Sequence, residues 1–267
     1  INGDLNSFNI KINDKYEIIN LISTFSYTQG SLFFTDMSWK IINKKNQNSE
    51  FFNGKIEIVQ KKNIQDVNIN FDVKNLKNLL NIPIMNYDLS QVDSQKVKSK
   101  LIINRNKQIL LSDLSISDKN NKFVIKDLIL DQNFNLINFN QISIKTNIDN
   151  KLNNDFTILN KENIFIKGKV FDAKNLLKEL NRENEKNVFL NKISKDIEID
   201  LKKILKGTSF PVNKFRLVGK INKGSFEKIS AKSDFGENEH LDISLQKKVN
   251  TNDKILEVYS DIAAPLL

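Results

Sequence analysis

Residues 67–74 read Val-Asn-Ile-Asn-Phe-Asp-Val-Lys, with every odd position hydrophobic and every even position amide or charged. Successive side chains of a strand point to opposite faces, so this is a strand with one apolar face and one wet face. The same alternation recurs at Phe8, Ile10 and Ile12, at Ile142 and Ile144, at Ile197, Ile199 and Leu201, and at Leu241, Ile243 and Leu245. A chain written mostly in this pattern must fold as sheet. It must also bury, or use, a long apolar face.

Between these runs lie short clusters with turn chemistry: Asn13-Asp14-Lys15, Gln29-Gly30, Lys44 to Asn48, Lys61-Lys62-Asn63, Asp118 to Asn121, Asn222-Lys223-Gly224, Gly236-Glu237-Asn238 and Asn250 to Asp253. Strand, short polar turn and strand in succession are the signature of an antiparallel meander. The strand after Gly30 is expected to carry Phe33, Met37, Trp39 and Ile41 on one face. Residues 84–100 are polar and read as a linker or short helix, 136–148 as one extended segment, and Asp149 to Asp155 as a loop. Only three prolines and eight glycines interrupt the chain, which favours long, regular strands.

Two stretches break the period. Residues 75–82 (Asn-Leu-Lys-Asn-Leu-Leu-Asn-Ile) and 173–181 (Ala-Lys-Asn-Leu-Leu-Lys-Glu-Leu-Asn) read as short helices, with Asp72 and Asp172 as caps near their starts. Their equivalent settings suggest a weak internal repeat of roughly 100 residues. On this basis the chain divides into 1–160, with its helix near 75–82, and 161–267, with its helix near 173–181. The first residue is Ile1, and the chain reads as a segment of a longer one that continues past Leu267.

The chain has 267 residues, 39% hydrophobic, enough for a substantial core. A formal charge of +9 invites a nucleic-acid or anionic-membrane reading. The lysines, however, are spread along polar strand faces instead of being clustered, which fits a solvated surface. There is no cysteine, so disulfides, thiolate metal sites and cysteine nucleophiles are excluded. No stretch approaches the ~18–20 apolar residues of a membrane span.

Catalytic constellations are not found. The single histidine, His240, falls on the polar side of its strand with Asp242 and Ser244, and no glycine-flanked nucleophile turn accompanies it. Asp234-Phe235-Gly236 spells a kinase metal motif without the rest of that signature. Lys206-Gly207-Thr208 lacks the glycine and spacing of a phosphate loop. Residues 149–155 lack the spacing and terminal Glu of a calcium loop, and the Glu237/Glu239 pair lies in an exposed turn. No enzyme, cofactor or metal is expected.

Residues 164–180, Ile-Phe-Ile-Lys-Gly-Lys-Val-Phe-Asp-Ala-Lys-Asn-Leu-Leu-Lys-Glu-Leu, resemble the strand, Gly, Asp and Leu-Leu element of AsmA-like proteins of Gram-negative bacteria, particularly the YhdP type. The succession Ile197 to Leu201, Phe215 to Gly219, Phe226 to Ala231, Leu241 to Leu245 and Leu256 to Leu267 is similar too. Pro265 departs from the small residue of the family's ending. The resemblance covers about 164–267 and is thematic before that. It implies a long all-β sheet curled into an elongated open groove lined by lipid, in a periplasmic protein anchored in the inner membrane through other parts of the parent chain. It further implies phospholipid transport toward the outer membrane, as in relatives such as TamB and the chorein-type bridge proteins.

On that reading the groove is lined by Val67, Ile69, Phe71, Val73, Ile142, Ile144, Ile164, Ile166, Ile197, Ile199, Phe215, Leu217, Ile243 and Leu245, and the partners are phospholipid acyl chains, with no nucleic acid. Two acyl chains hold roughly 30 methylenes, each costing about 0.8 kcal/mol if wetted, so a carrier has to cover them continuously. The alternative is a structural spacer, a β-sandwich or solenoid whose apolar faces cover one another. Both account for the alternation.

Overall fold

The computed structural model describes residues 1–262 except 13, 15, 45–48, 62–63, 74–94, 105–108, 132–135, 175–192, 206–210, 237–238 and 248–252. Among the described residues the chain forms seventeen strands in a long, mostly antiparallel meander sheet that does not close into a barrel. It divides into two compact units, the second beginning its strands after Asn140.

Unit 1 holds β1 (Asn2–Lys11), β2 (Tyr16–Thr28), β3 (Ser31–Asn43), β4 (Ser49–Lys61), β5 (Ile64–Val73), β6 (Gln95–Asn104), β7 (Ile109–Ser117), β8 (Lys122–Leu130) and the short β9 (Leu136–Asn138). Each pairs antiparallel with the next. Unit 2 holds β10 (Gln141–Ile148), β11 (Lys151–Asn160), β12 (Ile164–Asp172), β13 (Lys195–Leu205), β14 (Val212–Asn222), β15 (Ser225–Gly236), β16 (Glu239–Lys247) and β17 (Lys254–Ser260). Six of the seven steps between these eight strands are antiparallel, but β12 and β13 run parallel, Ile164 opposite Ile197 and Ile166 opposite Ile199. Parallel neighbours need a crossover connection, and residues 173–194 supply it.

Tight turns follow the chemistry of the sequence. Gln29-Gly30 (φ 49 and 79) and Lys223-Gly224 (φ 47 and 76) have both central residues left-handed, the arrangement of a type I′ hairpin, whose twist matches that of its strands. Asp149-Asn150 (φ 49 and 60) does the same without glycine. The loop expected at 149–155 is therefore a two-residue turn, and β11 begins at Lys151. The polar stretch before 101 is also strand: Gln95–Lys100 opens β6. The extended segment at 136–148 breaks at Phe139 and Asn140 between β9 and β10.

A bulge in β3 changes one face assignment. Asp36 has φ 50, and the register with β4 slips between Phe34 and Met37. The extra residue reverses the alternation, so Phe34 and not Phe33 shares a face with Met37, Trp39 and Ile41.

The two helix settings differ. β5 returns antiparallel into β6, with Asp72 exposed opposite Lys96. β12 instead leads into the parallel crossover, and its Asp172 is buried. The Asp172 carboxylate accepts the Lys174 N–H at 3.1 Å, a capping contact at the first helical residue. The helices expected at 75–82 and beyond Lys174 lie outside the described residues.

Each unit has its own core on one sheet face. In unit 1 Leu21, Met37, Trp39 and Phe52 are buried together, with Trp39 and Phe52 stacked at 5.4 Å. Val97 packs against this cluster from β6, two strands beyond Phe52. In unit 2 Ile164, Ile197, Leu217 and Ala231 form the buried centre. The boundary drawn from the sequence at 160/161 falls in the turn joining β11 to β12, within unit 2.

Candidate functional site

Alternation within a strand becomes a surface only if registers align, and in unit 2 they do. Ile142, Ile158, Ile166, Ile199, Leu217, Ala231, Ile243 and Val258 are successive cross-strand partners on all eight strands. A second row runs Ile164, Ile197, Gly219, Ile229, Leu245 and Leu256. A third runs Ile144, Phe156, Gly168, Leu201 and Phe215. The rows fill each other's gaps: a side chain on Gly219 would meet Ile197 and Leu217, which lean over it at 3.4 and 3.5 Å.

Burial changes along the rows. Ile144, Leu201 and Ala231 are each only 3% exposed, whereas Val258 is 47% and Leu256 61% exposed. Fully burying one such aliphatic side chain contributes about 1.5–3 kcal/mol, so the interior of this face stabilises the fold while its β17 end remains open.

The other face of unit 2 carries Ser143, Thr157, Lys167, Asp200, Arg216, Lys232, Asp242 and Tyr259 in one cross-strand row. Opposite charges stand side by side in it, as at Lys232–Asp242 (3.8 Å). Exposed pairs of this kind contribute little to stability, and their effect is to keep this face wet.

Unit 1 repeats the arrangement. Leu32, Ile58, Val67, Leu101, Leu111 and Leu128 are successive partners, and so are Phe34, Ile56, Ile69, Ser99, Leu114 and Ile125. The candidate residues therefore fall into two sets. Val67 and Ile69 lie on the unit 1 face, with Phe71 and Val73 at matching register positions on β5. Ile142, Ile144, Ile164, Ile166, Ile197, Ile199, Phe215, Leu217, Ile243 and Leu245 share the unit 2 face.

Ser99 interrupts the apolar row between Ile69 and Leu114, and its buried hydroxyl has no hydrogen-bond partner. A buried polar atom left unpaired costs about 1–3 kcal/mol. Ser99→Ala should therefore raise the stability of unit 1 by about 1 kcal/mol in urea unfolding. A loss of stability would show that the hydroxyl is bonded after all.

A polar knot closes one end of unit 2. Thr146 donates to Asn153 Oδ1 (2.7 Å), Asn154 Nδ2 donates to Thr146 (3.0 Å), and Asn153 Nδ2 donates to Asp172 (3.3 Å). Asn154 Oδ1 accepts the Asp172 N–H at 2.9 Å. These groups satisfy one another, so the knot is structural. Three amide or acid residues in a row at 153–155 read as loop, and only their buried neighbours reveal otherwise.

His240 sits at the start of β16 beside Asp261, which accepts its backbone N–H at 2.7 Å and the Tyr259 hydroxyl at 2.8 Å. The His240 N–H, then the Tyr259 hydroxyl, hold the Asp261 carboxyl below the ordinary aspartate value. The Asp261 carboxylate pushes the Tyr259 phenol upward. A depressed carboxylate stabilises the fold above its unfolded pKa, and that contribution is lost as pH falls through the folded pKa. The protection of the His240 amide against hydrogen exchange should therefore fall on acidification, and should already be low at neutral pH in Asp261→Ala. Full protection in that variant would remove the account.

Two hollows open on the polar side of β3, β4 and β5. The larger, about 640 Å³, is bordered by Asp36, Lys55, Asn70 and Asp72, and the smaller, about 190 Å³, by Phe33, Glu57 and Asn68. Among the described residues no three His, Cys, Asp or Glu side chains are grouped to hold a metal ion. No helix among them is long and apolar enough to cross a membrane. No protein-family model, curated protein or solved structure matches the chain.

Proposed function

We propose that the apolar faces carry hydrocarbon, the acyl chains of membrane phospholipids, and that the chain is a stretch of conduit wall of the kind the AsmA-like resemblance implies. The observation that carries this reading is the unbroken apolar row from Ile142 to Val258, backed by a charged row on the other face. Seven interstrand steps at ~4.8 Å span about 34 Å, enough for a lipid chain that fills half of a ~30 Å bilayer core. Headgroups would stay at the polar rim, where lysines attract phosphate. The mechanism is passive: shielding of methylenes from water, with no reaction. The setting that suits it is a Gram-negative periplasm, between an inner membrane that anchors the parent chain and an outer membrane that receives lipid.

One observation favours the spacer reading instead. Ile144, Leu201 and Trp39 are 3–4% exposed with protein alone, so at these points protein already covers the face. Extraction and native mass spectrometry of the purified chain separate the two. Co-purifying phospholipid, with a diazirine-bearing acyl probe labelling Leu256 and Val258 but not Ile255 and Tyr259, supports the conduit. A lipid-free chain that takes up no probe overturns it and leaves the spacer.

A further inference from the structure

The bulge in β3 does more than shift its register. Thr35 and Asp36 together oppose the single Lys55 of β4, between the pairs Phe34–Ile56 and Met37–Gly54. Bulges re-aim side chains and are over-represented beside functional sites. Here Phe33 is turned onto the wet face, in register with Glu57 and Asn68, where it is only partly buried. Asp36, whose φ of 50 an aspartate tolerates, is brought to the rim of the larger hollow. Its carboxylate lies 3.4 Å from the Thr24 hydroxyl of β2.

The two hollows adjoin, since Thr35, Lys55 and Asn70 border both. The larger, at about 640 Å³, falls within the roughly 300–1,000 Å³ of small-molecule sites. Asn53, Lys55, Asn70 and Asp72 are exposed around it. Among the described residues their side chains have no hydrogen-bond or ion-pair partner, so their donors and acceptors are open to a ligand.

The chemistry of the rim selects that ligand. Two carboxylates, Asp36 and Asp72, repel an anion such as phosphate. The Lys55 ammonium repels a cation, and among the described residues no three acidic or histidine side chains are grouped to hold one. A neutral molecule dense in hydroxyls meets neither objection: each hydroxyl can donate to a carboxylate or accept from an ammonium or amide. The Phe33 ring adds a flat apolar platform with a negative face, which suits the C–H face of a pyranose. From Asn68 to Asp72 along β5 the hollows run four residues, about 14 Å, room for two or three sugar rings.

We propose that the wet face of unit 1 binds a neutral oligosaccharide here, one ring stacked on Phe33 and the hydroxyls of the next held by Asp36, Asp72 and Lys55. The site lies on the opposite face from the apolar rows and does not rest on their carrying hydrocarbon.

An array of neutral di- and trisaccharides of hexoses and N-acetylhexosamines, with hits titrated by calorimetry against the full chain, tests this. Saturable one-site binding is expected, unaffected by calcium chloride or sodium phosphate. Phe33→Leu keeps an apolar side chain but loses the flat ring, and should weaken binding roughly tenfold or more. Asp36→Asn, which still tolerates the left-handed backbone, and Asp72→Asn, at an exposed position where folding is not at stake, should each weaken it roughly tenfold. Asp113→Asn, on the same face of β7, should leave it unchanged. Silence across the array, competition by calcium or phosphate, binding that survives Phe33→Leu or Asp72→Asn, or an equal loss in Asp113→Asn overturns the proposal.

Discussion

Gly168→Ala should destabilise unit 2 by about 3 kcal/mol, more than most single methyl additions. The added Cβ would collide with the Asp155 carbonyl oxygen and the Phe156 side chain, and would lie 2.6 Å from Phe156 Cα. Two of those three are backbone atoms, which no rotamer change can move. The crowding arises because the β11–β12 register shifts between Asp155 and Phe156, bringing one strand close over the other where only a glycine fits. A useful contrast is Gly30→Ala. Nothing lies near that position, and only its φ of 79 opposes a side chain, so about 1 kcal/mol is expected. Urea unfolding of both variants checks the comparison; equal effects would mean that β11 and β12 are not so close.

Asp172→Ala should cost about 2–4 kcal/mol. The carboxylate is buried and accepts hydrogen bonds from Asn153 Nδ2 and the Lys174 N–H, so its removal takes away the acceptor of both bonds and breaks up a buried polar network. It also sits where the chain leaves β12 for the crossover, beside the Ala173 N–H that donates to the Leu205 carbonyl at 2.7 Å. Hydrogen exchange should show the β12–β13 pairing opening first. Asp172→Asn keeps an oxygen for Lys174 but turns a donor toward Asn153, and should lose about half as much. A variant whose exchange rises uniformly across unit 2 would refute the local role.

Much of this architecture can be read from residue order, because a strand with one wet face must alternate, as 67–74 does. The same logic failed where the partner strand, and not the segment, supplies the apolar contact. Lys96-Val97-Lys98-Ser99-Lys100 contains a single hydrophobic residue, yet Val97 lies between Phe71 and Ile116 in the register, and that setting makes it a strand. Alternation is also blind to bulges: one extra residue at Asp36 exchanged Phe33 for Phe34. The two-residue turn at Asp149-Asn150 was hidden by the amides that follow it, which read as loop until Thr146 and Asp172 are placed beside them. Both apolar faces were visible as strand halves. Their alignment into rows was not, since register depends on turns and bulges whose effects accumulate over eight strands.

Strand direction is equally absent from alternation, and in unit 2 it has a geometric result. Eight strands joined only by hairpins would start and finish at the same end, each reversal cancelling the one before. The single parallel step from β12 to β13 removes one reversal. β17 therefore runs the same way as β10, and the path that enters at one end of the unit exits at the other. The unit has a net polarity, a head and a tail, which an even-numbered meander lacks. That polarity depends on one connection, and the Asp172 carboxylate stands where it begins.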